Sequence, residues 1–325
     1  MAMKIDKQSF DGTVCFNDEK HKYFENGKDP DFISVTTLIH RYTQEFDAEF
    51  WSRYKALQKL VGQDEFDGPV TTTARAKVEK RGPSSTAKIS LLESKKYDHK
   101  WTEFYGLTEE DLEKEAELIR LSYDEERERS CFRGTGIHKE MENLMMSKSK
   151  TDMEVLGLGG KIPGEFRFVE NTKELIPGNI YPEILLYRIS DDGALKVAGQ
   201  VDLLIVDHDG GVYIVDFKTN KKLDMKSYFN QKTKKSTKMK YPLNNIDDAN
   251  FLHYSLQLSL YFWLVNKANP NLFLKGLYII HYDHDGNTNQ YECEYLKNDV
   301  ERMLAYYKKE LENEKFKKSR EKIIF

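Results

Sequence analysis

The chain has 325 residues, 39% hydrophobic and 12% aromatic, with 50 basic against 54 acidic residues for a formal charge of −4. That size and apolar content fit a globular protein with a substantial core, in one large domain or two ordinary ones. No apolar run approaches the roughly 20 residues of a membrane-spanning helix, and "MAMKIDKQSF" lacks the apolar core of a secretory signal, so a soluble, cytoplasmic protein without a membrane partner is expected.

From the N-terminus, "TVCFNDEKHKYFENGK" alternates aromatic and polar residues and predicts a hairpin, with Asn26-Gly27 as its turn signal. "SVTTLIHRYTQEFDAEFWSRYKALQKL" has helical spacing behind a Ser34 or Thr36 cap. Residues 63–90, rich in Thr, Ser, Gly and Lys and holding Pro69 and Pro83, read as a loop or linker. A long helical pattern follows in "TEEDLEKEAELIRLSYDEERERSCFRGTGIHKEMENLMM", with Ile137, Met141, Leu144 and Met145 on one face. "LGLGG" at 156–160 has no strand before it and reads as a plain turn rather than a nucleotide loop. From Tyr181 the pattern becomes a three-stranded antiparallel meander through "VDFKT". An amphipathic helix, "FLHYSLQLSLYFWLVNKA", then precedes a strand, "LKGLYIIHYD", and a closing helix, "NDVERMLAYYKKELENEKFKKS".

Within the meander, two otherwise apolar strands each carry an aspartate. If "DHDGG" is a five-residue loop, Val206 pairs with Val212, and counting back places Asp202 opposite Asp216. Asp192-Gly193 is a favoured two-residue turn, and pairing Asp191 with Ala194 brings Glu183 opposite Asp202. Three carboxylates then line up across three strands, where opposed like charges destabilise a sheet and a buried unpaired carboxylate costs several kcal/mol. Lys218 shares the face of Asp216 and offsets one charge. A divalent cation answers the rest, and an oxygen-rich site suits Mg²⁺ or Mn²⁺. A solvated sheet face is the alternative, disfavoured by the Val, Leu, Ile and Phe neighbours.

Between Lys218 and Lys240 stand nine lysines and one acid, Asp224, a local basic stretch in a mildly acidic chain. Either a phosphate-binding surface or a solvated loop accounts for it.

With Glu183 in "YPEILL", Asp202 in "AGQVDLL", Asp216 and Lys218 in "VDFKT", and Gln257 with Tyr261 in "QLSLY", the sequence resembles the PD-(D/E)XK nuclease superfamily, in particular its RecB-like and AddB-like exonucleases, over about residues 125–300. The N-terminal hairpin and "SVTTLI" are similar to phage-encoded members. The resemblance implies an α/β, restriction-endonuclease-like core: a mixed central β-sheet with the antiparallel meander, flanked by helices. That core is expected over 123–325, with a lysine-rich insertion at 219–248, behind a mainly helical N-terminal accessory region over 1–122.

The resemblance further implies that His138, in "RGTGIHKEME", joins Asp202 and Asp216 as a metal ligand, with the Phe217 carbonyl as a further one. Glu183 supports the metal or its waters, and Lys218 orients or helps deprotonate the attacking water. Gln257 and Tyr261, one helical turn apart, approach the site and the DNA strand. The lysine-rich stretch is expected to form a flexible flap whose Lys221, Lys222, Lys226, Lys234 and Lys235 track phosphates, with Tyr228 or Phe229 stacking on a base. Several relatives hold an iron–sulfur cluster with four cysteines. Here Cys15, Cys131 and Cys293 are too few and too scattered for one, for a zinc knuckle or for a disulfide framework, so no cluster is expected.

The reading is therefore a deoxyribonuclease dependent on one or two Mg²⁺ or Mn²⁺ ions, acting from DNA ends in recombination, repair or viral DNA processing, with partner proteins or oligomers compatible with that role. A structure-specific endonuclease and a non-catalytic nucleic-acid-binding module are the alternatives.

Overall fold

The computed structural model describes residues 7–9, 11–17, 19–28, 31–61, 107–147, 150–154, 156, 158, 160–168, 174–230 and 234–321. The stretch read as loop or linker, 63–90, lies outside them. Two compact units emerge, Met1–Gln44 with Arg133–Phe325, and Glu45–Phe132.

In chain order the elements are β1 (Lys7–Gln8), β2 (Val14–Asn17), β3 (Lys22–Glu25), β4 (Ile33–Ser34), α1 (Val35–His40), α2 (Ala48–Val61), α3 (Glu109–Met146), β5 (Lys150–Asp152), β6 (Glu165–Phe168), β7 (Asn179–Ile189), β8 (Lys196–Val206), β9 (Gly211–Lys218), β10 (Phe229–Asn230), β11 (Lys235–Ser236), α4 (Asn250–Ala268), β12 (Phe273–Tyr282), β13 (Thr288–Glu292) and α5 (Lys297–Glu321). The smaller unit is held by Ala56 and Leu57 of α2 against Leu112 and Ala116 of α3. Arg53 adds ion pairs to Glu109 at 2.5 Å and Glu113 at 2.9 Å. The boundary expected at 122/123 falls inside α3, which runs unbroken through it.

In the larger unit, β2 and β3 form the expected hairpin, but its turn is not Asn26-Gly27. Those residues follow β3, both with positive φ (49° and 77°), in a second tight turn between Glu25 and Lys28. Burial of Val14, Phe16 and Phe24 fixes the hairpin register instead. The single helix expected over 34–60 is broken in two. Ser34 Oγ accepts from Thr37 N at 3.0 Å to start α1. Gln44 N then bonds Asp248 Oδ2 at 2.8 Å, and Asp47 Oδ1 accepts from Phe50 N at 2.8 Å at the start of α2. Tertiary and capping bonds outcompete the continuous periodicity.

The fold is a restriction-endonuclease-like α/β arrangement around a mixed sheet, ordered β13-β12-β9-β8-β7-β6-β5, with β4 also pairing β8. The β7-β8-β9 meander is antiparallel, whereas β12 returns parallel to β9 after α4. Val206 pairs with Val212, as the five-residue loop requires. Ile189 pairs with Lys196 across the Asp192-Gly193 turn. One face of the sheet packs against α1, α4 and α5; the other carries Leu203, Ile205, Val215 and Phe217 against Met145 of α3 and against Leu156, Leu158 and Ile162.

Two further expectations change. α4 is not amphipathic in practice: every residue from Ser255 to Phe262 is buried, because the sheet meets one side and α1 and α5 cover others. The lysine-rich insertion is anchored at its base. Met239, Leu243 and Ile246 are buried, Met239 N bonds Ile246 O, and Lys238 pairs Asp247 at 2.5 Å. Lysine spacing cannot signal those apolar anchors.

Candidate metal centre

Strand β8 pairs with β7 along its length, but with β9 only from Leu203 to Val206. At Val197 and Ala198, β4 takes up the edge that β9 has left. Residues 199–202 therefore face an open fork, and Asp202 stands at its apex. The backbone N–H of Phe217, released from the ladder, donates to Asp202 Oδ2 at 2.8 Å. Glu183, on β7, interrupts its own ladder between the pairs Pro182–Leu203 and Ile184–Val201, with φ at +51°. A non-glycine residue in that region carries strain of about 1–3 kcal/mol, which persists when the surroundings over-determine it. The Gln200 amide donates to the Glu183 carboxylate.

His138 reaches the fork from α3. Its Nδ1 lies 3.5 Å from Asp202 Oδ1 and 3.7 Å from Glu183 Oε1, and its Nε2 is 3.1 Å from the Phe217 carbonyl oxygen. One ligand atom from each of His138, Glu183 and Asp202 lies within 4.8 Å of the others. Asp216, on β9, is 1% exposed, and its two oxygens are differently engaged. Oδ1 accepts from Gln257 Nε2 at 3.0 Å. Oδ2 forms an ion pair with Lys218 Nζ at 2.6 Å and, among the described residues, has no further hydrogen-bond partner. Gln257 also donates to the Tyr261 hydroxyl at 3.3 Å.

The electrostatics are those of crowded, desolvated charge. Burial and the neighbouring Asp216 push the Asp202 carboxyl up to about 7. Burial opposes charge on His138, but Glu183 and Asp202 prevail and push it up to about 9. Lys218 follows the same logic: burial works against its ammonium, and Asp216 with Asp202 overrides it, raising the group. The cluster thus borrows protons and the Lys218 charge to offset its repulsion. Its donor set of carboxylates, one imidazole and one carbonyl fits a divalent cation, and Asp216 Oδ2, with no further hydrogen-bond partner among the described residues, is consistent with one.

The structure thus brings together His138, Glu183, Asp202 and the Phe217 carbonyl, with Asp216, Lys218, Gln257 and Tyr261 adjoining. Among the described residues, the ligand atoms grouped within 4.8 Å of one another come from His138, Glu183 and Asp202, with Glu183 rather than Asp216 as the third. Lys221, Lys222, Lys226, Lys234 and Lys235 are exposed on the insertion, as are Tyr228 (67%) and Phe229 (50%), while Lys222 pairs Asp224 at 2.6 Å. Two neighbours escaped the sequence reading. Gln200 lies two residues before Asp202, and Tyr254 lies three before Gln257 on the same helix face, its ring 4.6 Å from Lys218 Nζ. Helical spacing from Gln257 and Tyr261 is the signal that marks Tyr254.

A family model for the PD-(D/E)XK nuclease superfamily matches residues 96–322. The crystal structure of SSO0001 shares 18% identity, over 61% of this chain and 68% of that one, at a TM-score of 0.32. A Eubacterium rectale protein provisionally designated an exonuclease shares 11%, over 83% and 85%, at a TM-score of 0.26. No curated protein matches the sequence.

Proposed function

The chain belongs to the PD-(D/E)XK nuclease superfamily, and from that premise we propose that it is a Mg²⁺- or Mn²⁺-dependent deoxyribonuclease acting from DNA ends. The observation that carries the reading is the grouping of partly buried His138 and Glu183 with buried Asp202 beside the Asp216–Lys218 pair, which gathers three carboxylates at one place. Among the described residues no helix is long and apolar enough to cross a membrane.

His138, Asp202, Asp216 and the Phe217 carbonyl would hold the ion, with Glu183 completing or supporting the set. When bound, a divalent cation supplies charge neutralisation at the phosphate and acidifies an attacking water. Lys218, fixed beside Asp216, orients that water and counters the negative charge that grows on the phosphate. Gln257 keeps one Asp216 oxygen engaged so that the other faces the reaction, and it ties Tyr261 to the same carboxylate. The exposed lysines of the insertion supply phosphate contacts, and Tyr228 or Phe229 a stacking surface. End preference follows from the likeness of the site motifs to RecB-like exonucleases, and with it a place in recombination, repair or viral DNA processing.

The test is incubation of linear and covalently closed circular DNA with Mg²⁺. Digestion of the linear form with intact circles is expected. Cutting of closed circles would favour an endonuclease, and DNA binding without cleavage of either form would favour a non-catalytic module.

A further inference from the structure

Lys218 sits at the end of β9 with two defined neighbours. One is the Asp216 carboxylate, an ion pair at 2.6 Å. The other is the face of the Tyr254 ring, 4.6 Å from Nζ. Fixing a lysine's four-carbon stem costs on the order of 2 kcal/mol of rotamer entropy, so a second contact adds to the hold of the first. We propose that Tyr254 is a positioning residue, whose ring clamps the Lys218 ammonium against Asp216 and keeps it aimed at the reacting phosphate. This rests on the reading of Lys218 as the group that handles the attacking water.

Three observations support the assignment. Tyr254 is three and seven residues before Gln257 and Tyr261 on α4, so one helix face presents all three toward the fork. The ring is partly buried against the core, which keeps water from competing with the cation–π contact. Burial raises the Tyr254 hydroxyl, so near neutrality the contact is with a neutral ring. Chemistry adds a reason for two holders. Asp216 is also a candidate ligand, and a cation drawing on its carboxylate weakens the hold on Lys218, whereas an aromatic face competes for no such ligand.

The experiment combines kinetics on linear duplex DNA with nuclear magnetic resonance of metal-free protein labelled in its lysine Cε groups. Tyr254→Leu should lower kcat at least about tenfold with KM little changed, as expected for loss of a desolvated cation–π contact. Tyr254→Phe, which keeps the ring, should lose less than about threefold. In a Lys218→Ala background, Tyr254→Leu should add nothing further. The Lys218 Cε protons should show an upfield ring-current shift that Tyr254→Phe preserves and Tyr254→Leu removes.

Equal losses in the two backgrounds, a failed rescue by Tyr254→Phe in a folded variant, or no ring-current shift in the unmodified protein would each overturn the proposal. The last of these applies even if Tyr254→Leu does not fold. Should Lys218→Ala leave cleavage intact while the shift persists, the catalytic reading of Lys218 fails, and the ring contact is structural only.

Discussion

The two halves of strand β8 behave as different materials. From Leu203 to Val206 the strand is paired on both edges, by β7 and β9, and all four side chains are fully buried. From Gly199 to Asp202 only β7 remains, and this half carries Gln200, Asp202 and the approach of Tyr261. Stability resides where the ladder is complete. Chemistry resides where it is abandoned, because a free edge lets backbone N–H groups turn to carboxylates and lets a histidine reach in from another element. The lesson is that an acid directly before a four-residue apolar run is not an error in that run.

Four measurements would break or sharpen this contrast. The largest effect is expected from Asp202→Asn, which should reduce cleavage on the order of a thousandfold. It should leave the melting temperature unchanged or raised, since the native carboxyl is strained by burial and by Asp216. A large fall in melting temperature would make Asp202 structural. In the paired half, Leu204→Ala should cost about 2–5 kcal/mol in denaturant unfolding, with turnover by the remaining folded enzyme nearly unchanged.

Next in size, Mg²⁺ or Mn²⁺ at about a hundred times its dissociation constant should stabilise the protein by about 2.7 kcal/mol and fail to stabilise Asp202→Asn. The sign of its pH dependence follows from the raised groups. With His138 pushed up to about 9 and Asp202 to about 7, the metal-free site holds protons near neutrality that binding must release. Affinity should therefore tighten as pH rises toward 9, with proton release visible by calorimetry in buffers of different ionisation enthalpy. The smallest effect belongs to Gly199→Ala. Its Cβ would fall 2.6 Å from Tyr261 Cε1 and 2.8 Å from Val35 Cγ2, so about 1–3 kcal/mol of overpacking is expected in thermal unfolding.

Much of the site was legible because it rests on local rules. The Asp192-Gly193 turn and the "DHDGG" loop set hairpin registers over a few residues, and a period of two then forces Glu183 and Asp202 into neighbouring positions. His138 was reached only through likeness to a family, since a histidine on a helix 79 residues from Phe217 has no local rule to place it. The helix expected over 34–60 failed for the complementary reason. Its periodicity was real, but a bond from Gln44 to Asp248, 204 residues away, outweighed it.

Sequence alone determined the meander, its register and therefore the crowding of acids, because turn chemistry and side-chain alternation act between residues close along the chain. Only the tertiary structure decided the fork between β4 and β9, the positive φ of Glu183, the reach of His138 and the ring of Tyr254 over Lys218. Each of these depends on which distant segments share an edge or a face, and that choice is made by burying apolar surface across the whole unit rather than by any neighbouring residue.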